Sequence, residues 1–261
     1  MKPKNLKHAL NSESLIHQLN EKKPAFFLDY DGTLTPIVNR PEDAILTDEM
    51  REVVKELSQH YTVAIVSGRD KKDVQERVSL ENLIYAGSHG FDISGPHGME
   101  MQHEQGNQAL PDLDEAEQKL NHELAGISGC QVERKKFSIA VHYRNANPSQ
   151  VDMIKQRVSD VHQQYSSLRM NGGKMIVELQ PDIDWDKGKA VLWLMKKLNL
   201  NPENTLPVYI GDDLTDEHAF QVLKESGIGV LIGEHGSETA ANYILDNVSQ
   251  VRGFLQKVLK I

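Results

Sequence analysis

Two aspartates, separated by a single residue, lie at the end of the first strongly apolar run of the chain. The run AFFLDY spans residues 25–30, and Asp29 and Asp31 belong to the stretch DYDGT that closes it. Side chains two apart on a strand point to the same face, so we expect both carboxylates on one side. Adjacent carboxylates repel each other unless a cation or a proton resolves the conflict. The pair therefore predicts either a cation-assisted catalytic site or an aspartate-rich turn, because Asp-Gly is also a common turn dipeptide.

A small hydroxyl residue follows the apolar run TVAIVSG at residues 62–68. Ser67, Gly68 and Arg69 would place a hydroxyl and backbone N–H groups at the start of the next helix. Such an arrangement binds phosphate. A Ser-Gly pair after a strand is also a routine turn or helix cap, and both interpretations stay open on this motif alone.

A lysine opens the helix-like segment KGKAVLWLMKKLN at residues 187–199. The helix macrodipole makes a cation unfavourable at a helix N-terminus, so the position of Lys187 needs a reason. Pairing with a nucleophile carboxylate and a phosphate would supply that reason. The alternative is a lysine that faces solvent.

Four acids fall within six residues after the apolar run LPVYIG. Asp212, Asp213 and Asp216 lie in this stretch, DDLTDE. Oxygen ligands suit Mg²⁺, which takes few of them from protein. Thr215 followed by two acids also suits the first turn of a helix. Both interpretations can hold, with Asp212 reaching a metal ion and Asp216 supporting it from behind.

Apolar runs and helical segments alternate along the chain, and this alternation predicts what positions these residues. Continuous apolar runs suit strands buried on both faces of a parallel sheet. The runs lie at residues 25–30, 62–68, 83–88, 206–211 and 228–233, and the helical segments at 48–60, 71–79, 187–199, 215–226 and 248–260. We expect a doubly wound, mostly parallel α/β core whose sites lie at the carboxyl ends of its strands.

The middle of the chain breaks this alternation. A helical segment is followed by the strand-like CQVERKKFSIAVHYR, a second helical segment, and LRMNGGKMIVELQ. The last predicts a hairpin with Asn171, Gly172 and Gly173 as its turn. We expect an inserted α+β cap domain at residues 103–181, with residues 1–102 and 182–261 forming the catalytic core.

Composition narrows the classes of partner. The 261 residues carry 29 basic and 38 acidic side chains, a net charge of -9, so the chain has no global attraction for nucleic acid or an anionic membrane. A metal and a few placed cations can still reverse the local field for a small phosphorylated substrate. No apolar run suits a secretory signal or a membrane span, and Cys130 is the single cysteine. We expect a monomer in the cytoplasm.

Together, the order DxDGT, Ser, Lys and GDDxTD resembles the haloacid dehalogenase superfamily of phosphatases. The resemblance implies that Asp29 attacks phosphorus to form an aspartyl-phosphate. Asp31 would protonate the leaving alkoxide and then deprotonate the hydrolytic water. Ser67 would hold a phosphate oxygen, and Lys187 would neutralise charge on the nucleophile and the phosphoryl group.

The same resemblance implies a magnesium site. Its ligands would be Asp29, the backbone carbonyl of Asp31, and Asp212, with Asp213 or Asp216 in support. The metal would cancel anionic repulsion and orient the in-line displacement.

Longer segments resemble the trehalose-6-phosphate phosphatase family over about residues 24–233. They are LDYDGTLTPI, SGR, YAGSHGFDI, VERKKFSIAVHYR, VELQPDIDWDKGKA and YIGDDLTDEHAF. This resemblance assigns substrate binding to Gly68, Arg69, His89, Glu133, Lys135, Arg144 and Glu178. The chain departs from the family pattern at two cap positions, where Arg134 replaces a frequent Asp or Asn and Gln180 replaces a frequent Arg.

Two alternatives remain open. A related phosphatase could act on sucrose phosphate or a hexose phosphate, since the cap closes over the leaving group and chooses the substrate. A receiver-type signalling module also phosphorylates an aspartate. Such a module needs no inserted cap and lacks an acid two positions after the phosphorylated residue, so Asp31 argues against it.

Overall fold

The computed structural model describes residues 6–38, 40–173, 175–236 and 238–261. The chain divides into two compact units. The core unit is the chain up to Glu100 together with Trp185–Ile261, and the inserted unit is Met101–Asp184. Each unit contains an apolar cluster of its own.

The strands of the described residues are numbered in chain order. They are β1 (Lys7–His8), β2 (Lys23–Leu28), β3 (Thr62–Val66), β4 (Ile84–Gly87), β5 (Asp92–Gly95), β6 (Met99–Gln102), β7 (Gln131–Lys135), β8 (Ser138–His142), β9 (Leu168–Gly173), β10 (Ile176–Pro181), β11 (Thr205–Gly211), β12 (Ile228–Ile232) and β13 (Tyr243–Leu245). The α-helices are α1 (Glu13–Glu21), α2 (Asp48–His60), α3 (Lys71–Val78), α4 (Glu104–Gln108), α5 (Leu110–Glu123), α6 (Val151–His162), α7 (Lys187–Lys197), α8 (Glu217–Leu223) and α9 (Val248–Val258).

The first sheet has the strand order β1-β13-β12-β11-β2-β3-β4-β5-β6. In this order, every neighbouring pair from β1 at one edge as far as β4 is parallel, whereas β4 and β5 pair antiparallel. This arrangement confirms the predicted doubly wound, mostly parallel α/β core. From β2 the chain winds through β3 and β4 on one side and later through β11 and β12 on the other. The strand order therefore reverses at β2, the place where open α/β sheets bind ligands.

The central strands are buried because their sequences are apolar on both faces. Residues 24–28 of β2 and all of β12 are buried. In the parallel register Leu28 pairs with Ile210 of β11 and with Ile65 of β3. Asp29, the residues after Gly211 and the residues after Val66 consequently emerge at the same edge of the sheet.

The inserted unit contains an antiparallel sheet of order β7-β8-β10-β9. One face carries Ile139, Val141, Val177 and Leu179, which pack in an apolar cluster with residues of α5 and α6. The alternate positions of β7, β8 and β10 form the polar face, which carries Glu133, Lys135, Ser138, His142, Glu178 and Gln180. The sheet therefore has one face covered by helices and one face of hydrogen-bonding side chains.

Three local predictions are corrected by the structure. The segment at residues 130–144 forms two strands, β7 and β8. Its core-facing apolar side chain is at an even-numbered position in the first strand, Val132, and at an odd-numbered position in the second, Ile139. The turn between Lys135 and Ser138 accommodates this change. The second hairpin turns after Gly173, which pairs with Ile176, so residues 171–173 belong to β9. The helix predicted over 215–226 is a 3-10 turn at Leu214–Asp216 followed by the shorter α8.

In the described part of the chain, no helix is both long enough and apolar enough to cross a membrane.

Candidate active site

One ammonium group lies between two carboxylates at the edge of the core sheet. Lys187 Nζ is 2.8 Å from Asp29 Oδ1 and 2.7 Å from Asp216 Oδ1. All three residues are buried, with exposures of 3%, 4% and 0% for Lys187, Asp29 and Asp216. Burial alone would lower the pKa of Lys187, but the two carboxylates outweigh it and raise that pKa well above its ordinary value. Lys187 is therefore a fixed positive charge.

The start of α7 places this lysine. Asp186 caps the helix by accepting a hydrogen bond from Lys189 N at 2.9 Å, so Lys187 is the first helical residue. A cation is unfavourable at this end of a helix, and the ion pairs with Asp29 and Asp216 compensate. The structure thus excludes the solvent-facing alternative for Lys187.

Asp216 is a structural carboxylate, and each of its two oxygens accepts two hydrogen bonds. Its Oδ1 accepts from Lys187 and from the hydroxyl of Tyr209 at 2.6 Å. Its Oδ2 accepts from the backbone N–H groups of Asp212 and Asp213, each at 3.0 Å. A carboxylate offers about four lone-pair sites, so these donors use the whole capacity of Asp216. The residue orients its neighbours and has little left to offer a metal ion.

A cluster of acids could still hold a cation. Oxygens of Asp29, Asp212 and Asp216 lie within 4.8 Å of one another. Asp212 Oδ1 is buried and has no hydrogen-bond partner among the described residues. Burial and the charge of Asp216 raise the pKa of Asp212 to about 7, and burial raises that of Asp29 despite Lys187. An unpaired buried oxygen among carboxylates that resist ionisation fits a hard divalent cation, with Asp29 and Asp212 as the available ligands.

Gly32 allows the Asp212 carboxylate to approach the DYDGT loop. Its φ is +81°, and a Cβ there would lie 2.1 Å from Asp212 Oδ2. The turn is closed by a hydrogen bond from Gly32 N to Thr35 O at 2.8 Å. Any larger residue would be strained and would displace the Asp212 carboxylate.

Asp31 and Asp29 pair with different cations. β2 ends at Leu28, so both aspartates lie in the loop beyond the strand, where strand alternation no longer fixes their directions. The Asp31 side chain is 37% exposed and forms an ion pair with Arg69 at 2.7 Å. Arg69 also bonds Asp73 Oδ2 at 2.9 Å. The structure therefore pairs Arg69 with Asp31, the second aspartate of the DYDGT motif.

The phosphate-binding candidates meet in a strained loop. Ser67 is buried, its Oγ accepts from Arg69 N at 3.1 Å, and its carbonyl accepts from His89 N at 2.9 Å. Ser88 and His89 both have positive φ, of 49° and 57°. A Cβ at Gly68 would lie 2.9 Å from the His89 ring. Close packing of a glycine against a backbone of unfavourable φ is typical of functional sites.

Asp213 does not join the acidic cluster. It is the exposed N-cap of the turn Leu214–Asp216 and forms a capping box with Asp216. Its side chain is accordingly committed to the turn, so the capping residue is Asp213, whereas the sequence suggests a helix start at Thr215.

The polar face of the inserted sheet holds the predicted cap residues. His142 Nε2 is 2.7 Å from Glu133 Oε2. Ser138 Oγ donates to Glu178 Oε1 at 2.6 Å, and Lys135 Nζ is 3.4 Å from the same oxygen. Glu133, Lys135 and Glu178 therefore lie on one face, with their charged groups held by neighbours. The predicted Arg144 lies beyond β8 and is exposed.

The two departures from the family pattern have different surroundings. Arg134 points to the other side of β7, where it pairs with Asp114 of α5 at 2.8 Å. Gln180 lies on the polar face, directly opposite Arg169 of β9, whose Nη2 is 3.5 Å from the Gln180 side-chain oxygen. A guanidinium is thus present beside position 180, carried by the adjacent strand.

Four residues that contact the predicted site residues are not predicted from the sequence: Tyr209, Ser138, His142 and Asp73. A usable signal existed for Tyr209, because its hydroxyl interrupts an aliphatic strand and a buried tyrosine hydroxyl needs a partner. The other three are ordinary polar residues whose roles arise from cross-strand and cross-loop neighbours. Nothing in their spacing distinguishes them from surface positions.

Comparisons with known proteins identify relatives over most of the chain. The family model described as Trehalose-phosphatase matches residues 27–249. "Probable trehalose-phosphate phosphatase 3" of Oryza sativa subsp. japonica is 42% identical over 95% of this chain and 73% of its own length. The C-terminal domain of C. albicans trehalose-6-phosphate phosphatase has a TM-score of 0.81 at 25% identity, covering 99% of this chain and 100% of that one. A haloacid dehalogenase-like hydrolase from Bacteroides thetaiotaomicron shares the fold, with a TM-score of 0.65 at 14% identity over 91% of this chain and 100% of that one.

Replacing Lys187 by alanine should destabilise the protein by about 3–5 kcal/mol, because two buried carboxylates lose their shared cation. The free energy of unfolding is measured in urea at neutral pH without divalent ions. Lys189→Ala is the matched control on the same helix. Its side chain is 34% exposed and 4.0 Å from Asp186, so the loss should be below about 1 kcal/mol. Equal losses in the two variants would contradict a buried charge cluster.

Proposed function

Because the chain belongs to the trehalose-phosphatase family of the haloacid dehalogenase superfamily, and is therefore a phosphoric monoester hydrolase, we propose that it hydrolyses trehalose 6-phosphate to trehalose and phosphate. The observation that carries the proposal is the buried cluster of Asp29, Lys187, Asp216 and Asp212 at the reversal point of the sheet. The names of the matching relatives support the substrate.

In the proposed reaction Asp29 is the nucleophile. Lys187 occupies Asp29 Oδ1, so we assign the attack on phosphorus to Oδ2. The new Oδ2–P bond forms as the bond from phosphorus to the sugar oxygen breaks, giving an aspartyl-phosphate. Lys187 is placed to offset the negative charge of the transferring phosphoryl group. The buried Ser67 hydroxyl is proposed to bind a phosphate oxygen.

Asp31 is the proposed acid and base. It gives a proton to the departing sugar oxygen, and then takes a proton from the water that attacks the phosphorus, which breaks the Oδ2–P bond, releases phosphate and restores the Asp29 carboxylate. A neutral sugar hydroxyl is a far better leaving group than an alkoxide. Its exposed position distinguishes Asp31 from the buried Asp29.

Mg²⁺ is the proposed cation. Asp29 and Asp212 would hold it, together with the backbone carbonyl of Asp31, while Asp216 positions the surrounding loop. When bound, the ion would polarise the phosphoryl group and cancel repulsion between the substrate and these carboxylates. The unpaired buried oxygen of Asp212 supports this assignment.

The inserted unit is proposed to recognise the sugar. Its polar face presents Glu133, Lys135 and Glu178 with their charged groups held by neighbours, and Arg144 is exposed beyond β8. Acids and cations supply the acceptors and donors that a hydroxyl-rich glucose unit needs. Gly68 and His89 remain proposed substrate contacts of the core unit.

Family membership removes the receiver-type alternative and leaves other sugar phosphates as competing substrates. A monomeric state and a cytoplasmic location remain proposals from composition.

Phosphate release across a substrate panel tests the function. We expect the highest kcat/KM on trehalose 6-phosphate, compared with sucrose phosphate and glucose 6-phosphate, and only when Mg²⁺ is present. Asp29→Asn should lower turnover by at least roughly a thousandfold, because the nucleophile is lost. Release from another sugar phosphate with none from trehalose 6-phosphate would reassign the substrate. Near-normal turnover by the variant would remove Asp29 as nucleophile.

Stabilisation by Mg²⁺ should be greater near pH 8 than near pH 6. The pKa of Asp212 is raised to about 7 in the folded chain. Between its ordinary value of about 3.9 and that value, the metal-free folded chain keeps a proton that the unfolded chain has lost. The metal-free protein therefore loses stability as pH rises through this window, and Mg²⁺ competes with the proton below it.

The rise in melting temperature on adding Mg²⁺, measured at both pH values, checks this expectation. Asp212→Asn is the control and should abolish most of the rise at either pH. An equal rise at the two pH values in the wild-type protein would be inconsistent with Asp212 as a ligand.

Glu178→Ala should lower kcat/KM for trehalose 6-phosphate by roughly tenfold to a hundredfold, the value of a hydrogen bond to a charged group. The activity on 4-nitrophenyl phosphate, which has no sugar, should change little. Asp114→Ala is the matched carboxylate control, because Asp114 lies on helix α5, on the covered side of the same sheet. Equal losses on the two substrates would count against a sugar contact.

A further inference from the structure

The guanidinium group of Arg69 donates hydrogen bonds to both carboxylate oxygens of Asp31. Arg69 Nε is 2.7 Å from Asp31 Oδ2, and Arg69 Nη2 is 2.7 Å from Asp31 Oδ1. The contact is bidentate, which fixes the carboxylate in position and in rotation. A point charge such as a lysine ammonium would fix only its distance.

The guanidinium is itself held from other directions. Arg69 Nη1 donates to Asp73 Oδ2 and Nη2 donates to Pro41 O, each at 2.9 Å. Its central carbon lies 5.5 Å from the centre of the Tyr30 ring. Four of the five N–H donors of Arg69 are engaged by these contacts and by Asp31. Little capacity remains for a phosphate or a sugar.

A second arginine, Arg77, holds the carboxylate of Asp73, which in turn binds Arg69. Arg77 Nε donates to Asp73 Oδ1 at 2.8 Å, so both Asp73 oxygens are bound by arginines. Asp73 and Arg77 lie on α3, one turn apart. The helix therefore supports Arg69, and Arg69 supports Asp31.

Asp31 has need of such support. Its side chain is 37% exposed and follows the end of β2, in contrast to the buried Asp29. An acid/base group must lie within hydrogen-bond reach of the leaving oxygen, and a displacement of about 1 Å can cost roughly a hundredfold in rate. The bidentate contact uses one lone pair of each Asp31 oxygen and leaves the second for proton transfer.

We propose that Arg69 is a positioning residue for the acid/base carboxylate of Asp31, not a substrate contact. The proposal rests on the function proposed above, in which Asp31 protonates the departing sugar oxygen. Arg69 fixes the direction from which Asp31 delivers that proton, and α3 fixes Arg69 through Asp73.

The leaving group distinguishes this role from a general structural one. We compare kcat/KM for trehalose 6-phosphate, whose alkoxide needs a proton, with kcat/KM for 2,4-dinitrophenyl phosphate, whose phenolate leaves without one. This parameter covers the steps through transfer of phosphorus to Asp29, so later hydrolysis does not obscure the comparison. Arg69→Gln should lower it roughly a hundredfold for the sugar phosphate and only a few-fold for the aryl ester.

Further variants sharpen the test. Arg69→Lys keeps the charge but not the fork, so it should show the same substrate-dependent loss. Combining Arg69→Gln with Asp31→Asn should cost little more than Asp31→Asn alone, because the two residues act as one unit. Arg252→Gln is the matched control. Arg252 lies on α9 and pairs with Glu49 at 4.0 Å, outside the contacts that hold Arg69 and Asp31, so the ratio between the two substrates should stay near the wild-type ratio.

Equal losses on both substrates in the Arg69 variants would overturn the proposal in favour of a structural role. Losses that add fully to those of Asp31→Asn would overturn it in favour of a substrate contact. Full rescue by lysine would show that charge alone suffices and would also overturn it. If the wild-type enzyme prefers another alkyl phosphate, the ratio is measured with that ester, so failure of the substrate assignment stays separate from failure of the Arg69 inference.

Discussion

Lys187 puts one positive charge between two carboxylates that reach it from the segments after two different strands, β2 and β11. Neither Asp29 nor Asp216 is exposed enough for water to stabilise its charge, so each depends on that ammonium group. Asp216 in turn accepts from Tyr209 and from two backbone N–H groups of the loop that carries Asp212. The lysine thereby fixes both the proposed nucleophile, Asp29, and the loop that carries the proposed cation ligand, Asp212.

The acidity of the chain is used unevenly. Much of the net charge of -9 is spread over exposed side chains, but Asp29, Asp212 and Asp216 are gathered where solvent is excluded. The raised pKa of Asp212 expresses the resulting repulsion. A divalent cation would relieve that repulsion and attract an anionic substrate in the same place. With a cation bound, this cluster of acids could therefore receive a phosphate ester although the whole chain is acidic.

Two aspartates of one short motif are kept apart by two cations. Lys187 from α7 binds Asp29 in the interior, and Arg69 at the end of β3 binds Asp31 near the surface. The separation suits the proposed roles, in which Lys187 offsets the charge on the nucleophile Asp29 and Asp31 reaches a departing oxygen. In the inserted unit the acids are likewise held by neighbouring side chains, Glu133 by His142 and Glu178 by Ser138 and Lys135.

The sequence alone determined the class of fold and the sheet edge at which the proposed site lies. Continuous apolar runs predict buried parallel strands, and the polar residues after them meet at one sheet edge, so Asp29, Lys187 and Asp212 could be named in advance. It did not determine partners. The sequence predicts Arg69 as a substrate ligand and Asp213 as a metal support. In the tertiary structure Arg69 pairs with Asp31, and Asp213 caps the turn at Leu214–Asp216. Tyr209 and His142 acquired their roles only through residues brought near by folding. Periodicity records which face a side chain occupies, but a hydrogen bond depends on distances between residues far apart in the chain, and only the packed structure sets those.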